Sequence, residues 1–347
     1  MVKRVLVTGG AGQISYALLP LLCSGRVFGP EEIELVLLDI MPASQALAGV
    51  VMEIEDCAYP LVKKVSATTD AATAFKGVQV AILLGGFPRK AGMERQDLIK
   101  KNVQIMRTHG EALNHYADPD VKVLVVANPA NTNCLTVMKY AAQVPPQNFS
   151  ALTRLDHDRL RGMLVTKVNE TLLSQGCEPV NTNQIRNVCI WGNHSSTQVP
   201  DVTYAEVQVN GAWQSAAQLC NDPVWQEETL VQAVQGRGAE VIRLRKLSSA
   251  MSAANAISTH LRLWITGTFK GDVTEFTSMA VLSDNNPYGI PDGLVCSFPV
   301  VCGGGKWAFK EGLTTSDADT QARISVTTKE LQTESDMAKA IIAGSNL

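Results

Sequence analysis

The chain has 347 residues, more than one ordinary hydrophobic core accommodates, so two domains are expected. With 46% hydrophobic and 18% charged residues it reads as a well-packed globular protein, neither disordered nor fibrous. A formal net charge of −3 leaves no electrostatic footprint for nucleic acid, and no apolar run of about 18 or more residues offers a membrane span, so neither is an expected partner.

From the first residues, Met1 to Val7, the chain runs straight into an apolar stretch, with no room for a signal or transit peptide. Short apolar runs then alternate with longer amphipathic ones, the rhythm of an α/β fold: a Rossmann-type doubly wound parallel sheet followed by a mixed α+β substrate domain. Strands are expected over Arg4–Val7, Glu34–Leu38, Val78–Leu84 and Val121–Ala127, with another near Ala151–Leu155. Helices are expected over Gln13–Ser24, Gln45–Glu55 and Asp97–Asp118.

The first strand is followed at once by Thr8-Gly9-Gly10-Ala11-Gly12-Gln13-Ile14-Ser15. Gly9 permits a tight turn, Gly12 lets backbone N–H groups approach a pyrophosphate, and small Ser15 lets the helix pack close to the sheet. The second strand ends in Asp39, where such folds place an acid that hydrogen-bonds a ribose diol and repels the extra phosphate of NADP, so NAD is the expected cofactor. A tight connection and a turn-capping acid would also use these residues. The third strand ends in Gly85-Gly86 and leads into Phe87-Pro88-Arg89-Lys90-Ala91-Gly92-Met93-Glu94-Arg95, a basic loop able either to close over an anion or simply to sit in solvent. Asn128-Pro129-Ala130-Asn131 follows the fourth strand, and Asn128 suits a ligand contact or an Asn-Pro turn equally.

Pro145-Pro146 interrupts the rhythm, and the expected division is 1–152 for the nucleotide-binding domain and 153–347 for the substrate domain. Beyond it, helices are expected over Arg159–Leu173, Glu227–Leu244, Ser252–Trp264 and Thr328–Ile342. Strands are expected over Tyr204–Val209, before an Asn210-Gly211 hairpin turn, and over Val295–Val301 and Trp307–Phe309. Eight cysteines are scattered with no zinc-type spacing, which points to free thiols in a reducing compartment, the cytoplasm, and to no metal site. The terminal Ser345-Asn346-Leu347 lies one residue from the peroxisomal Ser-Lys-Leu address.

Chemistry concentrates in Leu155-Asp156-His157-Asp158-Arg159 and Ile190-Trp191-Gly192-Asn193-His194-Ser195. His194 can carry a proton, Asp156 can orient its imidazole and Arg159 can grip an anion. With the glycine turn, the set describes an enzyme moving a hydride between a nicotinamide and a hydroxy acid. Singly, each residue has a plain structural use: a satisfied histidine, a helix cap, a surface cation.

These stretches, with Met52-Glu53-Ile54-Glu55-Asp56-Cys57, Pro88–Arg95, Ser248–Ser252 and Asn286-Pro287-Tyr288-Gly289 in the same order, resemble the lactate/malate dehydrogenase family over nearly all of the chain, most closely its cytosolic, malate-oxidising branch. The resemblance implies a homodimer that uses NAD to interconvert malate and oxaloacetate. It also implies roles: His194 accepts the hydroxyl proton, Asp156 fixes its tautomer, Arg159 holds the carboxylate beside the reacting carbon, Arg89 pairs with the distal carboxylate and Arg95 polarises the carbonyl oxygen. Gly9, Gly12, Gln13, Ile14, Asp39 and Asn102 would line the cofactor, and Asn128 would add a polar contact to the substrate. Asp158 departs from the family, which often has Asn there; facing the site, it would weaken anion binding. The competing readings are a lactate or aromatic hydroxy-acid dehydrogenase on this scaffold, and a non-catalytic module sensing NADH.

Overall fold

The computed structural model describes residues 2–88, 93, 95–267, 275–313 and 318–344; Arg89 and the Ser345–Leu347 tripeptide lie outside them. Six parallel strands come first: β1 (Lys3–Thr8), β2 (Ile33–Leu38), β3 (Val62–Thr68), β4 (Val80–Leu83), β5 (Lys122–Val125) and β6 (Phe149–Ala151). They connect through α1 (Gln13–Cys23), α2 (Ser44–Asp56), α3 (Ala71–Phe75), α4 (Arg95–Tyr116) and α5 (Ala130–Tyr140), and α6 (Arg154–Ser174) leads out of the sheet. The order β6-β5-β4-β1-β2-β3 reverses direction between β1 and β4, the crevice in which doubly wound sheets bind ligands.

Why these strands read as unbroken apolar runs is clear from their two faces. Val5 and Val7 of β1 pack with Leu18 and Leu22 of α1, while the intervening Leu6 packs toward Met106 of α4 and Val137 of α5. Both faces are dry, so both sets of alternate positions must be apolar.

The second half holds β7 (Ile185–Arg186), β8 (Cys189–Trp191), β9 (Val199–Asp201), β10 (Glu206–Val209) and β11 (Ala212–Ser215), then α7 (Ala216–Cys220), α8 (Leu230–Arg245) and α9 (Met251–Thr266). β10 and β11 form the expected hairpin, with Asn210 at φ 51° and Gly211 at φ 83°, the left-handed pair that a two-residue turn requires. β12 (Thr277–Leu282), β13 (Val295–Gly303) and β14 (Lys306–Phe309) then rejoin the large sheet antiparallel, β12 pairing with β6, before α10 (Ala318–Gly344) closes the chain. Among the described residues the sheet therefore has nine strands, drawn from both ends of the chain.

Several elements differ from expectation. β3 went unrecognised because it is the last strand of the sheet and carries exposed Lys63 and Lys64. α5 was hidden by Asn131, Thr132 and Asn133, a polar run buried to within 3% and satisfied internally, as in the 2.8 Å bond from Asn133 to the Ala127 carbonyl. The strand expected near Ala151–Leu155 stops at Ala151, and α6 begins at Arg154 instead of Arg159, which puts Asp156 in a helix's first turn. α10 starts ten residues before Thr328.

Three histidines are buried away from the crevice. Burial pushes His109 down to about 4; burial and the Arg154 charge push His260 down to about 3; and burial with Arg154 and Arg161 holds His157 well below 6.5. Each is bound neutral in the fold, so its contribution is complete above 6.5 and is lost as pH falls toward the folded value. Stability should therefore decline from pH 6.5 downward, with His109 alone accounting for about 3 kcal/mol by pH 4. Melting temperature measured against pH checks this. His109→Gln should flatten the curve, and an unchanged slope would contradict the assignment.

Candidate active site

The glycine turn and the turn after β4 meet where the strand order reverses. Gly9 sits at φ 68°, and a Cβ there would lie 2.9 Å from the Gly85 backbone nitrogen. Thr8 Oγ1 accepts a 2.9 Å hydrogen bond from that same N–H, so the two turns are locked together. A Cβ at Gly10 would reach 2.8 Å from Leu47 Cδ1, so this turn has no room for larger residues. α1 starts at Gly12 with no side-chain cap, leaving its first N–H groups to face an anion, with Gln13 exposed and Ile14 half-buried beside them. Asp39 reaches the turn, accepting from the Ala11 N–H at 3.0 Å and the Ile40 N–H at 2.8 Å. The crowded glycines, uncapped helix and carboxylate at the end of β2 are the shape and charge that a dinucleotide with an unmodified ribose requires, so the residues fit NAD.

Asn102 is held at both ends of its side-chain amide. It is fully buried, with Oδ1 accepting from the Phe87 N–H at 2.8 Å and Nδ2 donating to the carbonyls of Phe87 and Leu98. One donor is spent on the loop after β4 and the other on α4 itself, so Asn102 braces that loop against the helix. Arg89 is outside the described residues, as is the side chain of Arg95, whose backbone opens α4. Asn128 is exposed at the end of β5, before a cis bond to Pro129.

The remaining candidates converge on one carboxylate. Asp156, with no exposed surface, places Oδ2 at 2.5 Å from Nδ1 of His194 and accepts at Oδ1 from Arg159 NH1 at 2.9 Å. Burial alone would raise its pKa, but His194, Arg159 and the Gln198 side chain outweigh that and hold it below 3.8. An ionised acceptor at Nδ1 puts the neutral ring's proton there and makes Nε2 the accepting nitrogen of the ring. His194 keeps 21% of its side chain exposed, whereas Asp156 behind it has no exposed surface. Asp156 and Arg159 share a helical face because they are three residues apart, and the other guanidinium nitrogen, NH2, reaches Ser249 Oγ at 3.3 Å.

The neighbours that could have competed point elsewhere. Asp158 accepts at 2.9 Å from both Nε and NH2 of buried Arg154, whose NH1 continues to Thr277, so this acid is neutralised away from the crevice. His157 faces Ser278 Oγ at 3.0 Å inside the protein, and burial keeps it neutral.

Other residues in this centre went unread. Asn131 Oδ1 accepts from the His194 N–H at 3.0 Å, and Gln198 and Ser249 complete the surroundings of Asp156 and Arg159. Asn131 stands in the Asn128–Asn131 run and Ser249 in Ser248–Ser252, but no spacing links the first to His194 or the second to an arginine 90 positions away.

Comparisons with known proteins give the family to which this fold belongs. Residues 3–150 match the family model for the lactate/malate dehydrogenase NAD binding domain, and residues 153–342 match that for the lactate/malate dehydrogenase alpha/beta C-terminal domain. The chain is 50% identical over 337 residues to the cytoplasmic malate dehydrogenase of Homo sapiens, covering 96% of each. Among solved structures, it is similar to malate dehydrogenase from Naegleria fowleri, at a TM-score of 0.89 and 40% identity over 98% of this chain and 99% of that one. It is also similar to Trichomonas vaginalis lactate dehydrogenase in complex with NADH and oxamate, at a TM-score of 0.90 and 34% identity over 99% of this chain and all of that one.

Proposed function

Because the chain belongs to the lactate/malate dehydrogenase family, we propose that its crevice converts malate to oxaloacetate and back with NAD, using His194 and Asp156 for the proton and Arg159 for the substrate. The observation that carries the site reading is the sharing of Asp156 between His194 and Arg159. A 2-hydroxy acid bears its hydroxyl and carboxylate on adjacent carbons, so the proton acceptor and the anion clamp must be neighbours; a single buried carboxylate holds both.

Bound NAD supplies the acceptor for the hydride. Nε2 of His194 takes the hydroxyl proton as the carbonyl forms, and Asp156 stabilises the resulting imidazolium. Arg159 holds the adjacent carboxylate, Arg89 the distal one, Arg95 the carbonyl oxygen and Asn128 a further polar edge of the substrate. Gly9, Gly12, Gln13, Ile14 and Asp39 receive the dinucleotide. Residues 1–152 serve as the nucleotide-binding domain and 153–347 as the substrate domain. The protein works in the cytoplasm, like the cytoplasmic enzymes it is similar to, and as a homodimer; exposed Ile242, Leu244, Leu247 and Met251 offer apolar surface to a second copy.

A lactate-type substrate would leave Arg89 without its anion, a cost on the order of 1–3 kcal/mol. Purified protein should therefore consume NADH with oxaloacetate far faster than with pyruvate, and should discriminate against NADPH. Arg89→Gln should lower kcat/KM for oxaloacetate by on the order of 10- to 100-fold while leaving NADH affinity unchanged. A preference for pyruvate would overturn the substrate assignment, and absence of turnover with any 2-oxo acid would leave an NADH sensor.

A further inference from the structure

We propose that Glu330 and Glu334, one turn apart on α10, are positioning residues for the proton acceptor, holding the backbone on which His194 is mounted. This rests on the assignment of His194 made above. Asp156 restrains the imidazole through a single ring nitrogen, which leaves the position of the main chain to be set by something else.

That something comes from the far end of the chain. Glu330 Oε2 accepts from Asn193 Nδ2 at 2.8 Å, Ser195 Oγ at 2.5 Å and Thr197 Oγ1 at 2.7 Å. The residues on either side of His194 thus close on one carboxylate oxygen. Glu334, 3% exposed, accepts from Asn193 Nδ2 at 3.1 Å through Oε1 and from Thr132 Oγ1 at 2.5 Å through Oε2. Thr132 adjoins Asn131, which receives the His194 N–H, so α10 also holds the second corner that supports the histidine.

The preceding turn of α10 lies against the same loop. Thr327 Oγ1 accepts from the Asn193 N–H at 2.9 Å. Gly192 stands at φ 87° where a Cβ would fall 2.1 Å from Thr327 Cγ2, so the loop is pressed onto the helix with no space between. A carboxylate is suited to gathering several donors at one point, because its oxygens carry full charge and only accept. An amide in its place presents a donor on one side and a weaker acceptor on the other. The loop would then lose its common anchor while Asp156 and Arg159 stayed in place.

The test compares wild-type protein with Glu330→Gln, Glu334→Gln, Ser195→Ala and the Glu330→Gln/Ser195→Ala double variant. It measures oxaloacetate reduction, NADH affinity by fluorescence titration and thermal melting. A displacement of about 1 Å at a catalytic group costs on the order of 100-fold, so Glu330→Gln should lower kcat by about 10- to 100-fold with KM for oxaloacetate and NADH affinity within about twofold of wild type. Ser195→Ala should lower kcat on its own but add little in the Glu330→Gln background, because both remove one anchor. If Glu330→Gln fails to fold, Ser195→Ala and Glu334→Gln carry the same kcat-without-KM signature. A lowered melting temperature with wild-type kcat, or additive losses in the double variant, would overturn the inference and leave the assigned reaction standing. Wild-type protein without oxaloacetate turnover would remove the reaction itself, and this inference with it.

Discussion

Replacing His194 by glutamine is expected to reduce kcat for malate oxidation by about 10²- to 10⁴-fold, the range in which a positioned proton acceptor contributes. Glutamine keeps a polar end of similar reach and can still donate to Asp156, so the pocket stays filled and the buried carboxylate stays bonded. What disappears is a ring nitrogen able to take up the proton. The loss should fall on kcat and kcat/KM together, since the proton moves only as the reaction proceeds, and NADH affinity should be unaffected. Steady-state kinetics in both directions and a fluorescence titration of NADH measure this. A variant retaining more than about a tenth of wild-type kcat would show that another group takes the proton.

A loss of similar size, about 10³- to 10⁴-fold in kcat, is expected for Asp156→Asn, for a different reason. In the native protein one carboxylate faces donors on both sides, Nδ1 of His194 and NH1 of Arg159, with Gln198 as a third. An asparagine amide cannot accept from both. If its NH2 turns toward His194, the imidazole must accept at Nδ1 and carry its proton on Nε2, the wrong end for the reaction. If it turns toward Arg159, two donors confront each other in a buried space. KM for malate should therefore rise along with the fall in kcat, which separates this variant from His194→Gln. The charge matters for pH as well: Asp156 is held below 3.8, so the interaction is complete above 3.8 and is lost as pH falls through the lower folded value. Wild-type kcat in Asp156→Asn would show that the histidine is oriented by the backbone alone.

How much of this was legible beforehand depended on whether the relevant residues were neighbours in the sequence. The glycine turn, Asp39 and the strands around them could be read because a doubly wound sheet writes its binding crevice at strand ends, in short local patterns. His194, Asp156 and Arg159 could be read because each stands within a compact run whose chemistry is unusual. β3 and α5 could not: Lys63 and Lys64 mask an edge strand, and Asn131, Thr132 and Asn133 mask a buried helix whose polar groups are satisfied only by the tertiary fold. Asn102 shows the limit of local reading, because an asparagine near a ligand crevice is equally useful as a brace, and its bonds to Phe87 and Leu98 exist only in the folded chain. Glu330 and Glu334 lie on a helix expected only from its periodicity, and their partners are more than 130 positions away, beyond the reach of any local pattern.

The pairing of β12 with β6 has a mechanical consequence. Ala280 of β12 pairs with Ala151 of β6, and this one register pair joins the six parallel strands to the three antiparallel ones. Separating the two sets of strands would break that pairing inside the sheet instead of at its edge.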